Sequence, residues 1–383
     1  MSPFWGADLS RVRATWELDD DVVHLNHGSF GAVPVAALAE QRRLRELMER
    51  DPDRWFRWLP GLVAEARVAV AGYLRADPEA LALVPNASAG VTAVLNGLDA
   101  DSGRIVYTDH AYGAVELAVH QASRRLGLPA HRVDIPLAAD TPTVVSLLGD
   151  AIDGPTSLVI VDQISSATAR CFPVREIADL CRRRGVPILV DGAHAPGMLG
   201  DPLAGIDADL WVGNLHKWSC APRGTAAIVA AAPWRDRLLP LITSWASDEP
   251  YPRRFDVQGT LDLTAWLAAP AAFATVAALD ADRVRQHNSA LAEHGQRMVS
   301  DALGVPVPDV GEPAPSMRLV TLPPEVGATM ADCHALQARI ADQAGCEVAI
   351  THWRGRGHLR LSAHAYNTPG DYHLLADRLP ALL

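Results

Sequence analysis

The sequence predicts an α/β fold with a large, doubly wound and mostly parallel sheet and a smaller C-terminal α+β domain. From about residue 80, short β-branched runs alternate with amphipathic stretches of helical length, which is the pattern of a parallel sheet covered by helices. Several runs are almost wholly apolar, as strands covered on both faces should be. A chain of 383 residues, 49% of them hydrophobic, can bury such a sheet and a second domain.

The expected elements follow this rhythm in order. The clearest helix begins after Pro173 and ends at Gly185, with basic residues at 182–184 in its last turn. A Pro- and Trp-rich connection at 233–252 precedes a long Ala-rich helical region at 262–303. Seven strands are expected in the large domain, at 81–84, 104–108, 132–135, 157–161, 187–190, 210–213 and 225–230, and three in the small domain, at 318–322, 347–350 and 358–362.

Charge and cysteine usage exclude several classes of protein. The 34 basic and 45 acidic side chains leave a formal net charge of -11, which is unlike a nucleic-acid-binding protein. No run approaches the roughly 18 to 20 apolar residues of a membrane span and no export signal is visible, so we expect a cytoplasmic protein that does not bind membranes. The five cysteines are scattered without a C-x-x-C pair and predict reduced thiols.

Only one of the basic side chains is a lysine, Lys217. Arginine can replace lysine wherever only positive charge is needed, but arginine cannot lose its proton, whereas a lysine amine can attack a carbonyl to form an imine. Lys217 is therefore either a residual surface lysine or a residue kept for its nitrogen. Its neighbours must decide between these two interpretations.

Three motifs follow predicted strands, and each has a structural as well as a functional interpretation. The small-residue loop at 84–90 enters a helix, so Ser88 either caps that helix or helps it to bind a phosphate. Asp191 ends an apolar strand and precedes His194, so its carboxylate either caps the next helix or faces a ligand at the carboxyl edge of the sheet. The third motif, at 209–218, contains the lone lysine just past another strand.

The three motifs converge on one edge of the sheet, where ligands bind in such folds. A phosphate-binding loop, an acid and an imine-forming amine together fit pyridoxal 5′-phosphate better than any other common cofactor. Lys217 would hold the aldehyde and act as the base at Cα, and Asp191 would keep the pyridine nitrogen protonated. The remaining contacts would be His194 to the ring oxygen and Ser88, Asn214 and His216 to the phosphate.

Two other kinds of site have little support. His24 and His27 are close in sequence, but no H-E-x-x-H motif or Cys/His grid accompanies them, so we expect no metal site. The G-x-S-x-G motif of many serine hydrolases is missing as well.

These motifs resemble the class V aminotransferase superfamily of fold-type I pyridoxal-phosphate enzymes and, within it, the isopenicillin N epimerase-like branch. The resemblance covers most of the chain. The segments that carry it, in order and approximate spacing, are HLNHGSFG (24–31), PNASAGV (85–91), DHAYG (109–113), DQISSAT (162–168), DGAHAPG (191–197), GNLHKW (213–218), QGTLDL (258–263) and RLSAHAYN (360–367).

The resemblance implies roles that spacing alone does not. It makes Lys217 the Schiff-base lysine, Asp191 the pyridinium partner and His194 the ring-oxygen contact. It places His110 where related enzymes stack an aromatic ring on the cofactor, with Tyr112 as the competing choice. Further implied cofactor contacts are Ala87, Ser88, Asp162, Gln163, Asn214, His216 and Thr260, and implied substrate contacts are Asn26, His27, Ser29 and Arg360.

Two of the implied roles concern a second subunit and the substrate. Thr260 would reach the phosphate bound by a neighbouring subunit, which implies a homodimer with shared sites. Arg360 would clamp the α-carboxylate of an amino-acid substrate, a task that suits a bidentate guanidinium. The implied domains are an N-terminal arm at 1–30, a large cofactor-binding domain at 31–260, and a long connecting helix with the small domain at 261–383.

The chain also departs from relatives in two places. Related cysteine desulfurases form a persulfide on a loop cysteine shortly before the segment equivalent to RLSAHAYN, whereas residues 351–359 contain no cysteine, which disfavours persulfide transfer. Arg170 stands where relatives often have glycine, so it is a candidate subgroup or substrate feature.

The reaction stays open at this level. After removal of the Cα proton, β-elimination needs one well-placed lysine, whereas epimerisation needs a second acid, for which Tyr112, His110 and His27 are candidates. We expect β-elimination of the C–S lyase type or epimerisation of an amino acid or amino-acid conjugate, in specialised metabolism. The alternatives are an aminotransferase and, in another class, a non-catalytic binding protein of the same fold.

Overall fold

The computed structural model describes residues 8–383, so the first seven residues of the predicted N-terminal arm lie outside the described residues. Its strands are β1 (Val23–His24), β2 (Leu81–Val84), β3 (Ile105–Thr108), β4 (Ala130–Val133), β5 (Leu158–Asp162), β6 (Ile188–Asp191), β7 (Leu210–Asn214), β8 (Ala226–Ala230), β9 (Met317–Thr321), β10 (Cys346–Glu347), β11 (Ala349–Trp353) and β12 (Arg356–Ser362). Its α-helices are α1 (Leu9–Arg13), α2 (His27–Phe30), α3 (Val35–Arg50), α4 (Pro52–Leu74), α5 (Ala87–Asn96), α6 (Gly113–Leu126), α7 (Thr141–Ala151), α8 (Val174–Arg184), α9 (Ala232–Arg235), α10 (Thr264–Ala278), α11 (Ala281–Leu303), α12 (Met330–Ala344) and α13 (Pro369–Arg378).

A seven-stranded sheet of order β2-β8-β7-β6-β5-β3-β4 forms the centre of the large domain. The pairs from β7 to β4 are parallel, and β8 lies antiparallel between β7 and β2. The predicted α/β class with a mostly parallel sheet is therefore confirmed. The predicted strand at 132–135 is shifted to Ala130–Val133, because this polar edge strand takes its register from its only neighbour, β3.

The sheet is buried on both faces, which explains its apolar strands. In β5, Val159 and Val161 pack into one core with α4 and α8, while Leu158 and Ile160 pack into a second core with α5 and α6. Successive side chains of a strand point to opposite faces, so every position of such a strand must be apolar. The carboxyl ends of β5, β6 and β7 then lie side by side at one edge.

The C-terminal part contains a three-stranded antiparallel sheet of order β11-β12-β9. The single strand predicted at 347–350 is in fact divided. Its first part, β10, pairs in parallel with β1 near the N-terminus, and its second part, β11, pairs with β12. Pairing with a segment more than 300 residues away leaves no local pattern in the sequence, which is why the division was not predicted.

The long Ala-rich region is two helices rather than one. The axes of α10 and α11 differ by 76°. Asp280 lies at the break with φ +63°, and its carboxylate accepts hydrogen bonds from Asp282 N and Arg283 N at the start of α11. Among residues 8–383, no single helix is long and apolar enough to cross a membrane, and α10 and α11 meet that criterion only as this bent pair.

A buried ion pair joins α4 to the segment that leaves the large sheet. The Arg67 Nη1 donates to Asp256 Oδ2, and both side chains are almost fully buried. Among residues 8–383, Arg67 Nε and Asp256 Oδ1 are buried without hydrogen-bond partners. The ion pair therefore offsets only part of the free-energy cost of burying the two charged groups. Each of the two charges therefore depends on the other.

We expect Asp256→Ala to lower the free energy of unfolding by about 3 to 5 kcal/mol, because it leaves the Arg67 charge buried and unpaired. Urea unfolding at equilibrium measures this change. Asp153→Ala is the control, since its pair with Arg184 is exposed and should contribute less than about 1 kcal/mol. The double variant Arg67→Met/Asp256→Leu should recover most of the loss. Equal effects of Asp256→Ala and Asp153→Ala would contradict this account.

Candidate active site

Two acidic side chains lie in register at the carboxyl ends of β5 and β6. Asp162 and Asp191 are paired across the two strands and both are buried. Burial raises the pKa of Asp191, while the amide of Ala193, which donates to Asp191 Oδ1 at 2.9 Å, and the nearby Lys217 favour its charged form. Burial and the charge of Asp191 raise the pKa of Asp162 well above its ordinary value. We therefore assign the negative charge to Asp191 and the proton to Asp162.

The capping interpretation of Asp191 is wrong, because no helix follows it. The carboxylate instead accepts from Ala193 N, in a turn that is closed by the hydrogen bond from Ala195 N to Gly192 O at 2.8 Å. The carboxylate thus faces the same edge as the amine described next.

The lone lysine is half-buried, and its amine lies beside His194. Lys217 Nζ lies 3.1 Å from His194 Nε2, and Trp218 Nε1 donates to His194 Nδ1 at 3.3 Å. A neutral ring that accepts at Nδ1 carries its proton on Nε2, so His194 donates to Nζ. The amine can accept that hydrogen bond only in its neutral form. Burial, with the charges of Lys217 and Arg360, lowers the pKa of His194 well below its ordinary value, which keeps the ring neutral.

The electrostatics of Lys217 agree with this hydrogen bond. Burial and the nearby positive charge of Arg360 lower its pKa to about 7, although the negative charge of Asp191 opposes the shift. The amine is therefore available as a base and nucleophile near neutral pH. The interpretation of Lys217 as a residual surface lysine is wrong.

The N-terminus of α5 presents free donors at the same edge. Asn86, not Ser88, caps this helix by accepting from Ala89 N, and Asn214 Oδ1 accepts from Ala87 N at 2.8 Å. Within residues 8–383, the Ser88 N–H and hydroxyl donate to no partner. A free N–H at a helix N-terminus, next to a hydroxyl, suits a phosphate.

His216 lies beside the lysine with one nitrogen already used. Its Nδ1 donates to Thr225 O at 2.9 Å, so a neutral ring has only a lone pair at Nε2. Burial lowers the pKa of His216 to about 4. His216 becomes a donor at Nε2 only when it takes up a second proton, which a neighbouring phosphate dianion would favour.

His110 is held rigidly, whereas Tyr112 is not. The His110 Nε2 donates to Ile135 O at 2.9 Å and its Nδ1 lies 2.7 Å from Thr168 Oγ1, so both ring nitrogens have protein partners. Burial lowers the pKa of His110 to about 4. The side chain of Tyr112 is half exposed, and its hydroxyl is close enough to influence the pKa of Arg360.

Arg360 is a buried cation surrounded by neutral oxygens. Its Nη1 donates to Ser166 O and Oγ, both at 2.9 Å, and its Nη2 donates to Ser29 Oγ at 2.8 Å and Asn26 Oδ1 at 3.3 Å. Its Nε has no partner, and none of the carboxylates in residues 8–383 forms an ion pair with it. Burial lowers its pKa to about 10, so the guanidinium is still charged at neutral pH. An uncompensated buried charge favours binding of an anion.

The turn that carries Asn26 and Ser29 is held against the lysine loop. His27 Nε2 donates to Lys217 O at 3.1 Å, and His27 Nδ1 accepts from Tyr366 Oη at 2.9 Å. Gly31 has φ +67°, and a Cβ there would collide with the backbone carbonyl of His216. Only glycine allows the turn to approach this closely.

His27 also belongs to a buried cluster with Cys220 and His364, whose potential ligand atoms lie within 4.8 Å of one another. The centres of the two imidazole rings lie 3.9 Å apart in a stack, and both Nε2 atoms approach Cys220 Sγ, at 3.9 Å from His27 and 3.5 Å from His364. Burial lowers the pKa of His27 to about 3, and its Nε2 carries the proton donated to Lys217 O. The cluster contacts the lysine loop through the hydrogen bond from His27 Nε2 to Lys217 O.

Of two further predicted cofactor contacts, Gln163 is joined to this edge through its backbone, since its N–H donates to Asp191 O at 2.7 Å. Both ends of the Gln163 amide have protein partners, since Nε2 donates to Pro202 O and Oε1 accepts from Trp211 Nε1. Thr260 is exposed on a turn next to Gly259.

Sequence reasoning missed several residues that shape the site. Ser166 holds Arg360, Thr168 holds His110, and Trp218 sets the proton on His194. The first two lie in the DQISSAT segment, which was noted only as a motif. Trp353 and Arg354 contact the His110 loop from the small sheet, and nothing in the sequence marked them.

The residues present fit pyridoxal 5′-phosphate. A neutral amine can bond its aldehyde, the Asp191 carboxylate can hold a proton on its ring nitrogen, and the His194 Nε2–H can donate to its ring oxygen. The free donors of Ser88 match its phosphate. These groups come from three separate strand ends and lie at one edge of the sheet.

Comparison with known proteins agrees with this arrangement. The model of the Aminotransferase class-V family matches residues 60–375. The chain is 30% identical to isopenicillin N epimerase of Streptomyces clavuligerus over 397 aligned positions, which cover 98% of each protein. It is 28% identical to a probable chloroplastic L-cysteine desulfhydrase of Arabidopsis thaliana, over 95% of this chain and 84% of that protein.

Solved structures share the fold. The cystine C-S lyase C-DES, in complex with its product cysteine persulfide, superimposes with a TM-score of 0.80 at 20% identity over 94% of this chain and 98% of that one. A cysteine desulfurase of Thermococcus onnurineus gives a TM-score of 0.82 at 19% identity over 97% of each chain. Because the family model spans most of the chain, the protein belongs to the class V aminotransferase family, whose cofactor is pyridoxal 5′-phosphate.

Proposed function

We propose that this protein removes the Cα proton of an amino acid or amino-acid conjugate, with β-elimination of the C–S lyase type as the first candidate reaction and epimerisation as the second. The observation that carries the proposal is the amine of Lys217, held by His194 next to the uncompensated charge of Arg360. The amine is a base, and the guanidinium is a binding site for the carboxylate of the substrate. Relatives named as an epimerase and as cysteine desulfhydrases support this class of reaction.

The charge of each side chain determines its proposed role. Pyridoxal phosphate, when bound, supplies an aldehyde for covalent attachment of amines and a ring that accepts electrons from Cα. Lys217 takes the proton from Cα, and Asp191 holds a proton on the ring nitrogen. Arg360 orients the amino acid through its carboxylate, exchanging one or more of its neutral partners, such as Asn26 and Ser29, for the anion.

The structure reduces the candidate acids for epimerisation from three to one. Proton return on the opposite face of Cα needs a second acid, and three side chains were candidates. Both ring nitrogens of His110 and of His27 already have protein partners. Tyr112, whose side chain is half exposed, is the remaining candidate. In epimerisation it would have to be the acid that returns a proton to Cα.

We also propose that the protein works as a homodimer with shared sites, in which Thr260 reaches the phosphate bound by the partner. Thr260 lies on an exposed turn whose Gly259 amide donates to Ser244 Oγ. The neighbouring segment exposes Trp245 completely and Ile242 by half. Such a concentration of exposed apolar side chains is typical of a protein interface.

Lys217→Arg should abolish covalent attachment of the cofactor and lower activity at least about 10²-fold, the scale of a positioned general base, since arginine keeps the charge but cannot become neutral. Borohydride reduction followed by peptide mass spectrometry measures attachment. Arg184→Lys is the matched control, because it adds a surface lysine that should stay unlabelled and leave activity intact. Turnover retained in Lys217→Arg would exclude the proposed role.

The rate of covalent attachment to the cofactor-free protein should rise about tenfold per pH unit up to about pH 7 and then level off, because only the neutral amine reacts and its pKa is lowered to about 7. Arg360→Gln removes a neighbouring positive charge, so it should raise the pKa of Lys217 and move this midpoint to higher pH. Stopped-flow absorbance over a pH series gives the midpoint. An unchanged midpoint in Arg360→Gln would show that the guanidinium does not act on the amine.

Elimination and epimerisation are separated by product analysis in deuterated water. We expect L-cysteine to give pyruvate, ammonia and hydrogen sulfide, and Tyr112→Phe to retain this activity within about tenfold, since a lysine alone suffices as the base. Mass spectrometry and NMR identify the products. Recovered amino acid of inverted configuration with deuterium at Cα, lost in Tyr112→Phe, would instead establish epimerisation through the tyrosine.

A further inference from the structure

The turn between β11 and β12 has a conformation that its sequence does not favour. The two strands pair as far as Trp353 and Arg356, so only Arg354 and Gly355 form the turn. Both have positive φ, +48° for Arg354 and +74° for Gly355. Glycine, asparagine and aspartate adopt this conformation readily, whereas arginine is disfavoured. Contacts outside the turn must therefore account for the arginine.

Those contacts lie on the large domain, at the residue before His110. Arg354 Nε donates to Asp109 Oδ2 at 2.6 Å, and the guanidinium carbon lies 4.7 Å from the centre of the Trp353 ring. Asp109 is itself buried, and its second oxygen accepts from Ile135 N at 2.8 Å. Ile135 also provides the carbonyl that accepts from His110. The ion pair thus joins the hairpin to the peptide that holds the histidine.

Trp353 completes the enclosure of His110. Its Nε1 donates to Asp109 O at 3.1 Å, and its ring lies 4.9 Å from the His110 ring at an angle of 44°. Phe172 packs at 5.2 Å with its ring at 75° to the imidazole. His110 is fully buried as a result.

The same hairpin also carries Arg360, the cation proposed to bind the substrate carboxylate. Arg360 belongs to β12 and donates to Ser166, while Thr351 of β11 donates to Ala167 O at 2.8 Å. The next residue, Thr168, bonds to the His110 ring. Three consecutive residues of the large domain thus link the hairpin, the guanidinium and the histidine.

We propose that Trp353 and Arg354 are positioning residues that latch the small sheet onto the large domain and set the plane of His110 relative to Arg360. The latch lies in the segment 351–359, which contains no cysteine. The consequence for the cofactor rests on the proposed function and on the expectation that His110, rather than Tyr112, stacks on the cofactor ring. The latch itself rests only on the contacts between the hairpin and the loop.

The first measurement uses the cofactor-free full-length protein. In Arg354→Gln, hydrogen exchange of peptides covering 105–112 and 349–358 should become about three- to fivefold faster, the scale of a partly exposed ion pair. Arg354→Lys should restore part of the protection because it keeps the charge, and high salt should mimic Arg354→Gln in the wild type. Arg356→Gln is the matched control, since Arg356 lies in the same hairpin but donates to Leu322 O and has no acidic partner. Unchanged exchange at 105–112 in Arg354→Gln would overturn the latch.

The second measurement tests the positioning role. The visible circular dichroism of the bound cofactor should change in Arg354→Gln and in Trp353→Phe, which keeps an aromatic ring but loses the indole donor, and should not change in Arg356→Gln. Faster exchange with unchanged circular dichroism would overturn the positioning role and leave a purely structural contact. If the wild type fails to attach the cofactor, the proposed function fails, whereas the exchange experiment still decides the latch.

Discussion

The proposed active site depends on keeping one lysine amine neutral. Burial alone would lower the pKa of Lys217, and the nearby Arg360 lowers it further, while the negative charge of Asp191 limits the shift. The His194 Nε2–H holds the neutral amine in place, because Trp218 occupies the other ring nitrogen. A base of about neutral pKa needs all of these contributions, and they come from separate segments of the chain.

The parallel sheet explains how those segments meet. Register pairing puts Asp162 beside Asp191, and β7 delivers Asn214 and the lysine loop to the same edge. The α5 N-terminus is fastened to that edge by the bond from Ala87 N to Asn214 Oδ1, which leaves Ser88 free. The N-terminus of α5, Asp162 and Asp191 are thereby brought to the same edge of the sheet, although they are far apart in sequence.

The site is closed by parts of the chain that lie outside the large sheet. The short α2 turn reaches the lysine loop only because Gly31 lacks a side chain, and it supplies two of the oxygens around Arg360. The β11–β12 hairpin arrives from the other domain and contacts the loop that holds His110. The position of Arg360 relative to the carboxyl edge of the large sheet is therefore set by contacts between the two sheets and the N-terminal turn.

The sequence by itself determined the fold class, the family and the cofactor. Local periodicity is enough to identify apolar strands and the helix that ends at Gly185, and a single lysine after a strand is conspicuous in a chain otherwise rich in arginine. What only the tertiary structure decided depends on packing between distant residues. It divided the Ala-rich region at Asp280, paired β10 with β1, and made Asn86 rather than Ser88 the helix cap. It also decided which ring nitrogens are free, because a hydrogen bond from a distant carbonyl or indole sets the position of each imidazole proton.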